Sequence, residues 1–136
     1  MNVEKNLMIA GKRKTAVAKV RIFAGNGNVF YNHLPISELH LFHKLALYEP
    51  LRIYEQVLGK INHDFHIRTS GGGKEAQIEA SRLAIAKALL HLTGSDVLRN
   101  AFISYDRNMV VPDARRKEAR KPGDSKARAM RQKSYR

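Results

Sequence analysis

Residues 60–94 read KINHDFHIRTSGGGKEAQIEASRLAIAKALLHLTG, and this stretch decides the fold. Lys60 to Thr69 alternates, with Ile61, Phe65 and Ile67 on one side and His66 and Arg68 on the other, which predicts a half-buried strand. Ser70-Gly71-Gly72-Gly73 breaks it. From Lys74 to Leu92 the spacing predicts a long helix, closed by Gly94 where a left-handed residue is expected. Its apolar residues fall on nearly every side: Ile78, Ile85, Leu89 and Leu92 share one face, while Ala76, Ala80, Leu83 and Leu90 occupy the opposite one. A helix this apolar all round is mostly buried, so it should be the core helix lying on a sheet.

Working outward, Thr15 to Phe23 alternates Ala16, Ala18, Val20 and Ile22 against Lys19 and Arg21, a second half-buried strand with a basic outer face. Gly25-Asn26-Gly27 leads into Asn28 to Asn32, and Asn-Gly between two such runs predicts an antiparallel hairpin. Pro35 can open a helix over Ile36 to Tyr48, with Leu39, Phe42, Leu45 and Ala46 as its apolar face. Glu49-Pro50 should stop or kink it, with a second short helix from Leu51 to Leu58 ending at Gly59. Beyond the core helix, Val97 to Phe102 suggests a helical turn and Phe102 to Tyr105 a last strand. The class is α+β, a small mixed or antiparallel sheet packed on helices.

The last thirty residues, 107–136, differ in kind. Eleven are Lys or Arg and only Asp113, Glu118 and Asp124 are acidic, so this segment carries +8 of the chain's net +13. After Met109-Val110-Val111 it has little to bury, because Met130 and Tyr135 are its only large apolar side chains; ordering it alone would cost more entropy than burial returns. Fully extended, residues 112–136 span roughly 80 to 90 Å. The organisation is therefore a globular body, residues 1–106, and a basic arm, residues 107–136. The body is basic too, with fourteen Lys and Arg against nine acidic residues.

Such a charge balance points to nucleic acid first and an anionic membrane second. No apolar run approaches the roughly 18 residues of a membrane span, and the arm lacks an amphipathic apolar face. Cysteine is absent, which removes disulfides and thiolate metal sites. No secretory signal pattern is visible near the start, so the cytoplasm is the expected compartment. Gly71 to Gly73 before a helix could cradle a phosphate, either as an RNA backbone contact or in a nucleotide-handling enzyme, or could be a purely structural turn. It is not a P-loop, since Lys74 is followed by Glu75. His63 and His66 lie on opposite faces of a strand, and His40 and His43 find no carboxylate or thiolate cluster to complete a site, so neither metal nor cofactor is expected. No nucleophile elbow, zincin motif or carboxylate pair suggests catalysis. Lys12, Arg13 and Lys14 precede the first strand; with Lys19, Arg21 and the arm they form a candidate phosphate-contacting surface.

Several of these motifs together resemble small-subunit ribosomal protein nine. They are Gly11-Lys12-Arg13-Lys14-Thr15-Ala16, Gly25-x-Gly27 with Asn32, Gly71-Gly72-Gly73 with Gln77, and Tyr105-Asp106-Arg107 leading to Gln132-Lys133-Ser134-Tyr135-Arg136. The ending Lys-Ser-Tyr-Arg and the run from Asp113 to Glu118 look like the archaeal and eukaryotic cytosolic branch. The resemblance implies a left-handed βαβ crossover in the sheet, a rare exception to the right-handed rule. It also implies a structural role in the head of the small subunit beside neighbouring head proteins. Ribosomal RNA would then be held by Lys12, Arg13, Lys14, Lys19, Arg21, the loop Gly71, Gly72 and Gly73, and Arg107, Arg115, Arg116, Lys117, Arg120, Lys121, Lys126 and Arg128 of the arm. Arg131, Lys133, Ser134, Tyr135 and Arg136 would reach peptidyl-site tRNA.

Overall fold

The structure, a computed structural model, describes residues 7–123 and 125–136; the first six residues of the expected body and Asp124 of the expected arm lie outside the described residues. In chain order the elements are β1 (Met8–Arg13), β2 (Ala16–Ala24), β3 (Val29–Tyr31), β4 (Leu34–Pro35), a 3₁₀ turn at Ile36–Glu38, α1 (Leu41–Leu58), β5 (His63–Ser70), α2 (Lys74–Thr93), α3 (Asp96–Tyr105) and a 3₁₀ turn at Arg107–Met109. The five strands form one mixed sheet in the order β1-β2-β5-β3-β4. Only β3 and β5 run parallel, and the chain between them carries α1. Among the described residues no helix is long and apolar enough to cross a membrane.

The decisive stretch folds as its pattern predicts. Ile61, Phe65 and Ile67 are buried while His66 and Arg68 are exposed. The helix α2 ends at Gly94 with φ 59°, its N–H donating to Leu90 O. Nine α2 residues are buried, from Ile78 to Leu89, because β1 and β2 cover one side and α1 another. Ala16, Ala18, Val20 and Ile22 on β2 face that core.

Four expectations change. The hairpin at Gly25-Asn26-Gly27 does not form, because β5 lies between β2 and β3. β2 pairs with β5 along the whole of β5, whereas β3 is only three residues long, so a direct hairpin would give a far shorter ladder than the one adopted. Gly25 N–H instead donates to Asn62 O at 3.1 Å, and the loop closes over the Asp64 carboxylate. The real hairpins are elsewhere. β1 and β2 join through Lys14-Thr15 with Lys14 at φ 53°, and β3 and β4 join through Asn32 and His33 at φ 46° and 70°. Two left-handed residues in a two-residue connection are the type I′ geometry that suits strand twist.

Second, β1 is a strand where the sequence suggests only a basic lead-in. Third, α1 is one helix across Pro50, and Ile36 to Glu38 is a separate 3₁₀ turn. Proline inside a helix costs about 3 kcal/mol, yet Leu47 and Leu51, each worth about 1.5 to 3 kcal/mol when buried, sit beside a buried Pro50 on the packed face. The expected apolar face is accordingly misplaced: Phe42 and Leu45 are 71% and 42% exposed. Fourth, Phe102 to Tyr105 is not a strand but the end of α3. Ser95 caps that helix by accepting from Leu98 N–H, and Leu98 and Phe102, one turn apart, are fully buried. Met109 is likewise fully buried; beyond Val111 the described residues form no helix or strand.

Candidate nucleic-acid interface

Three predicted features meet at one end of the sheet. The glycine loop packs on the β1–β2 turn: a Cβ at Gly71 would stand 2.7 Å from Thr15 O, and one at Gly72 2.9 Å from Ala16 Cβ, with φ 71° and 63°. Glycine is required at both positions on conformational and steric grounds alone. Gly73 has open space around it. Side chains hold the loop from behind. Gln77 Nε2 donates to Gly71 O at 2.9 Å, and its Oε1 accepts from Tyr31 Oη and Thr69 Oγ1, each at 3.3 Å. Asn32 clamps Thr69 both ways, Nδ2 to Oγ1 and Oδ1 from the backbone N–H, each 2.9 Å.

The arm leaves from the same end. Arg13, on the β1 side that faces α2, ion-pairs with Glu79 and lies 3.4 Å from Asp113 Oδ2, while its Nη1 donates to Arg115 O. Only 15% of its side chain is exposed, so Arg13 fastens the arm's root and offers little to an outside phosphate. Asp113 in turn accepts a forked pair from Arg115 at 2.7 to 3.1 Å. Those hydrogen bonds hold its carboxyl at about 2, well below its ordinary value. Arg82 ties the neighbouring elements, pairing with Glu49 of α1 and Asp106 after α3. Burial pushes the Asp106 carboxyl up, but the Asn108 amide and Arg82 outweigh it and the net direction is down. His43 of α1 bonds Glu75 in the first turn of α2 at 2.7 Å.

The sheet has a second, exposed side. The register aligns Met8, Arg21, His66, Phe30 and Pro35 in one row across all five strands, and Ala10, Lys19 and Arg68 in the next. Phe30 stacks on His66 with centroids 4.8 Å apart, and Phe23 meets the same ring edge-on at 4.9 Å. Asp64, opposite Phe23, is turned into the Gly25–Asn28 loop, where its Oδ1 accepts from Asn26 N at 2.9 Å and Asn28 N at 2.8 Å. Burial raises its pKa, but those amides prevail and its carboxyl lies below the ordinary range.

The predicted residues therefore divide. Lys12, Lys14, Lys19 and Arg21 are exposed, and Lys12 and Lys14 sit beside the glycine loop's support; Arg13 is occupied. In the arm Arg107, Arg115, Arg116, Lys117, Arg120, Lys121, Lys126, Arg128, Arg131, Lys133, Ser134, Tyr135 and Arg136 are all exposed, and among described residues only Arg115 and Arg128 pair with carboxylates, Asp113 and Glu118. Sequence reasoning missed Arg68, Phe30 and His66 as a group. Strand alternation already sends Arg68 and His66 outward, but nothing local reveals that β3 lies beside β5.

Comparison with known proteins identifies the family. The chain is similar to the small ribosomal subunit protein uS9 of Methanococcus vannielii, 40% identical over 129 residues that span 93% of this chain and 95% of that one. It is equally similar, by the same measures, to the uS9 proteins of two Methanococcus maripaludis strains, C7 and C5. The ribosomal protein S9/S16 family matches residues 11–136, from the β1 glycine to the last arginine of the arm, and the chain belongs to that family.

Proposed function

We propose that this protein is a structural constituent of the small ribosomal subunit whose body and arm bind ribosomal RNA and whose C-terminal tip contacts peptidyl-site tRNA. The observation that carries the reading is the arm: eleven Lys and Arg in thirty residues, nine of them without an ion pair to any described carboxylate. Cations without a described carboxylate partner are what RNA phosphates require, and a segment whose described residues beyond Val111 form no helix or strand can fold against RNA as it binds. In this reading residues 1–106 act as the RNA-binding body and residues 107–136 as the arm, placed in the subunit head beside other head proteins. The crossover from β3 through α1 to β5 takes the left-handed sense. The family is structural and non-enzymatic, so the nucleotide-handling alternative for Gly71 to Gly73 falls, and the packing of Gly71 and Gly72 on Thr15 and Ala16 supplies a reason for that loop without chemistry.

The test is reconstitution of small subunits with a chain lacking residues 133–136. That deletion removes Lys133 and Arg136 and nothing from the core, so subunit yield should stay normal while tRNA dissociates faster from the peptidyl site. Lost assembly with unchanged tRNA affinity in surviving particles would make the tip a structural anchor instead.

A further inference from the structure

The exposed side of the sheet carries a combination that phosphate binding by itself does not call for. Lys19, Arg21 and Arg68 surround a concavity of about 660 Å³ whose floor includes the Phe23, His66 and Phe30 rings. None of the three cations has a hydrogen bond or ion pair among the described residues. The nearby carboxylate, Asp64, is committed to the Asn26 and Asn28 amides. Phe23 is 41% exposed although it is a large apolar side chain on a strand. Cations unneutralised by the protein beside rings left open to solvent match a ligand that is anionic at one end and flat and apolar at the other.

We propose that this concavity is a base-docking site: an unpaired RNA nucleotide lays its base against the Phe30–His66 stack, and Lys19, Arg21 and Arg68 take its flanking phosphates. This rests on the reading above that the partner is RNA, and it deepens that reading by naming single-stranded rather than duplex RNA at the body. Bases held in a helix have their faces covered by their stacked neighbours and offer none to a ring, whereas bulged or loop nucleotides are splayed out and stack on aromatic and histidine rings. Charge complementarity selects RNA over an apolar protein segment, since such a segment would leave three cations buried and unpaired.

The experiment compares affinity of the full chain for an oligoadenylate and for an abasic ribose phosphate of the same length at low salt. The abasic strand reports phosphate contacts from arm and body, so the ratio of the two affinities isolates the base. Wild type should prefer oligoadenylate by about fivefold or more, the lower range for base–aromatic stacking. Phe30→Leu, which keeps apolar bulk and loses the ring, should bring the ratio close to one without weakening abasic binding. If Phe30→Leu fails to fold, His66→Ala on the exposed face carries the same expectation. Equal wild-type affinities for the two strands overturn the base site and leave phosphate binding standing. A ratio that persists in both variants overturns it too, and points to Tyr135 or another ring. No binding of either strand overturns the RNA reading as a whole. In reconstituted subunits, a photo-crosslinking amino acid substituted for Phe30 should join to RNA; a crosslink to a neighbouring protein instead would overturn the assignment.

Discussion

Substituting Gly11 with alanine should be among the most damaging small changes this chain can suffer. The added Cβ would stand 2.3 Å from Ala80 O, 2.8 Å from Ala84 N and 3.1 Å from Ala84 Cβ. Two of these atoms belong to the α2 backbone and the third is a methyl without rotamers, so no side chain can swing aside. Relief means lifting β1 off α2. Overpacking of this kind costs roughly 1 to 3 kcal/mol, and contact with backbone places Gly11→Ala in the upper half of that range. Alanine's stiffer unfolded chain returns about 0.4 to 1 kcal/mol, leaving a net loss of about 1 to 2.5 kcal/mol. For a body of this size each kcal/mol moves the melting temperature by about 4 to 8 °C, so thermal unfolding followed by circular dichroism should shift down by roughly 4 to 20 °C. Gly73→Ala is the control. Its Cβ meets nothing within 4 Å at φ −99°; the same unfolded-state return of about 0.4 to 1 kcal/mol is offset by a similar loss of glycine's advantage over alanine at the N-cap of α2, so its stability should stay within about 0.5 kcal/mol of wild type. If Gly11→Ala melted with wild type, or Gly73→Ala fell as far, the close approach of β1 to α2 would be refuted.

Two further outcomes follow from the same end of the sheet. Gln77→Leu removes the donor to Gly71 O and one of the two partners of the Tyr31 hydroxyl, which keeps Thr69 Oγ1. With Gly71 exposed to water, this should destabilise the body by about 0.5 to 1.5 kcal/mol and raise amide exchange at residues 71–73 in particular, and unchanged exchange there would show that Gln77 does not hold the loop. The Asp113 carboxyl, kept at about 2 by Arg115 against an ordinary 3.8, is a depressed acid, so its contribution is fully present above the ordinary value and is lost as pH falls through the folded one. A carbon NMR titration of that carboxyl should therefore show its midpoint near 2, and a midpoint near 3.8 would mean that the Arg115 fork does not persist in solution.

What could be read in the sequence follows from where the relevant forces are local. Strand β5 and helix α2 were legible because burial imposes a period of two on one and all-round apolarity on the other, and Gly94 could be placed because a helix end needs a left-handed residue. The β2–β3 hairpin was misread for the opposite reason. Asn-Gly signals a turn, but which strand the turn delivers as a neighbour depends on the length of competing ladders, and β5, which wins, enters the chain some thirty residues later. The I′ turn went unnoticed at Asn32-His33 because the pair lacks the glycine that marks such turns most strongly, and Asn26-Gly27 a few residues earlier carries that signal. Strand β1 hid behind Gly11, a poor strand former whose absence of a side chain is what the contact with Ala80 and Ala84 demands. Pro50 and α3 show packing overriding local preference, through Leu47 and Leu51 in the first case and Leu98 and Phe102 in the second.

The site divides along the same line. Cations in the arm are legible because charge density needs no fold to be counted. The ring cluster is not, since Phe30 and His66 become neighbours only when the crossover through α1 returns the chain parallel to β3 and inserts β5 between β2 and β3. The small residues on the inner side make this possible. Gly11, Ala16, Ala18, Ala80 and Ala84 let one helix lie close against β1 and β2, so that side alone forms the core and the other is free of packing duties. A sheet with one free side can carry Lys19, Arg21 and Arg68 without desolvation cost and display rings that a two-sided core would have had to bury. The arm gives this protein reach and charge; the one-sided sheet leaves Phe23, Phe30 and His66 beside Lys19, Arg21 and Arg68 on an open surface, which is the ground on which base recognition is proposed.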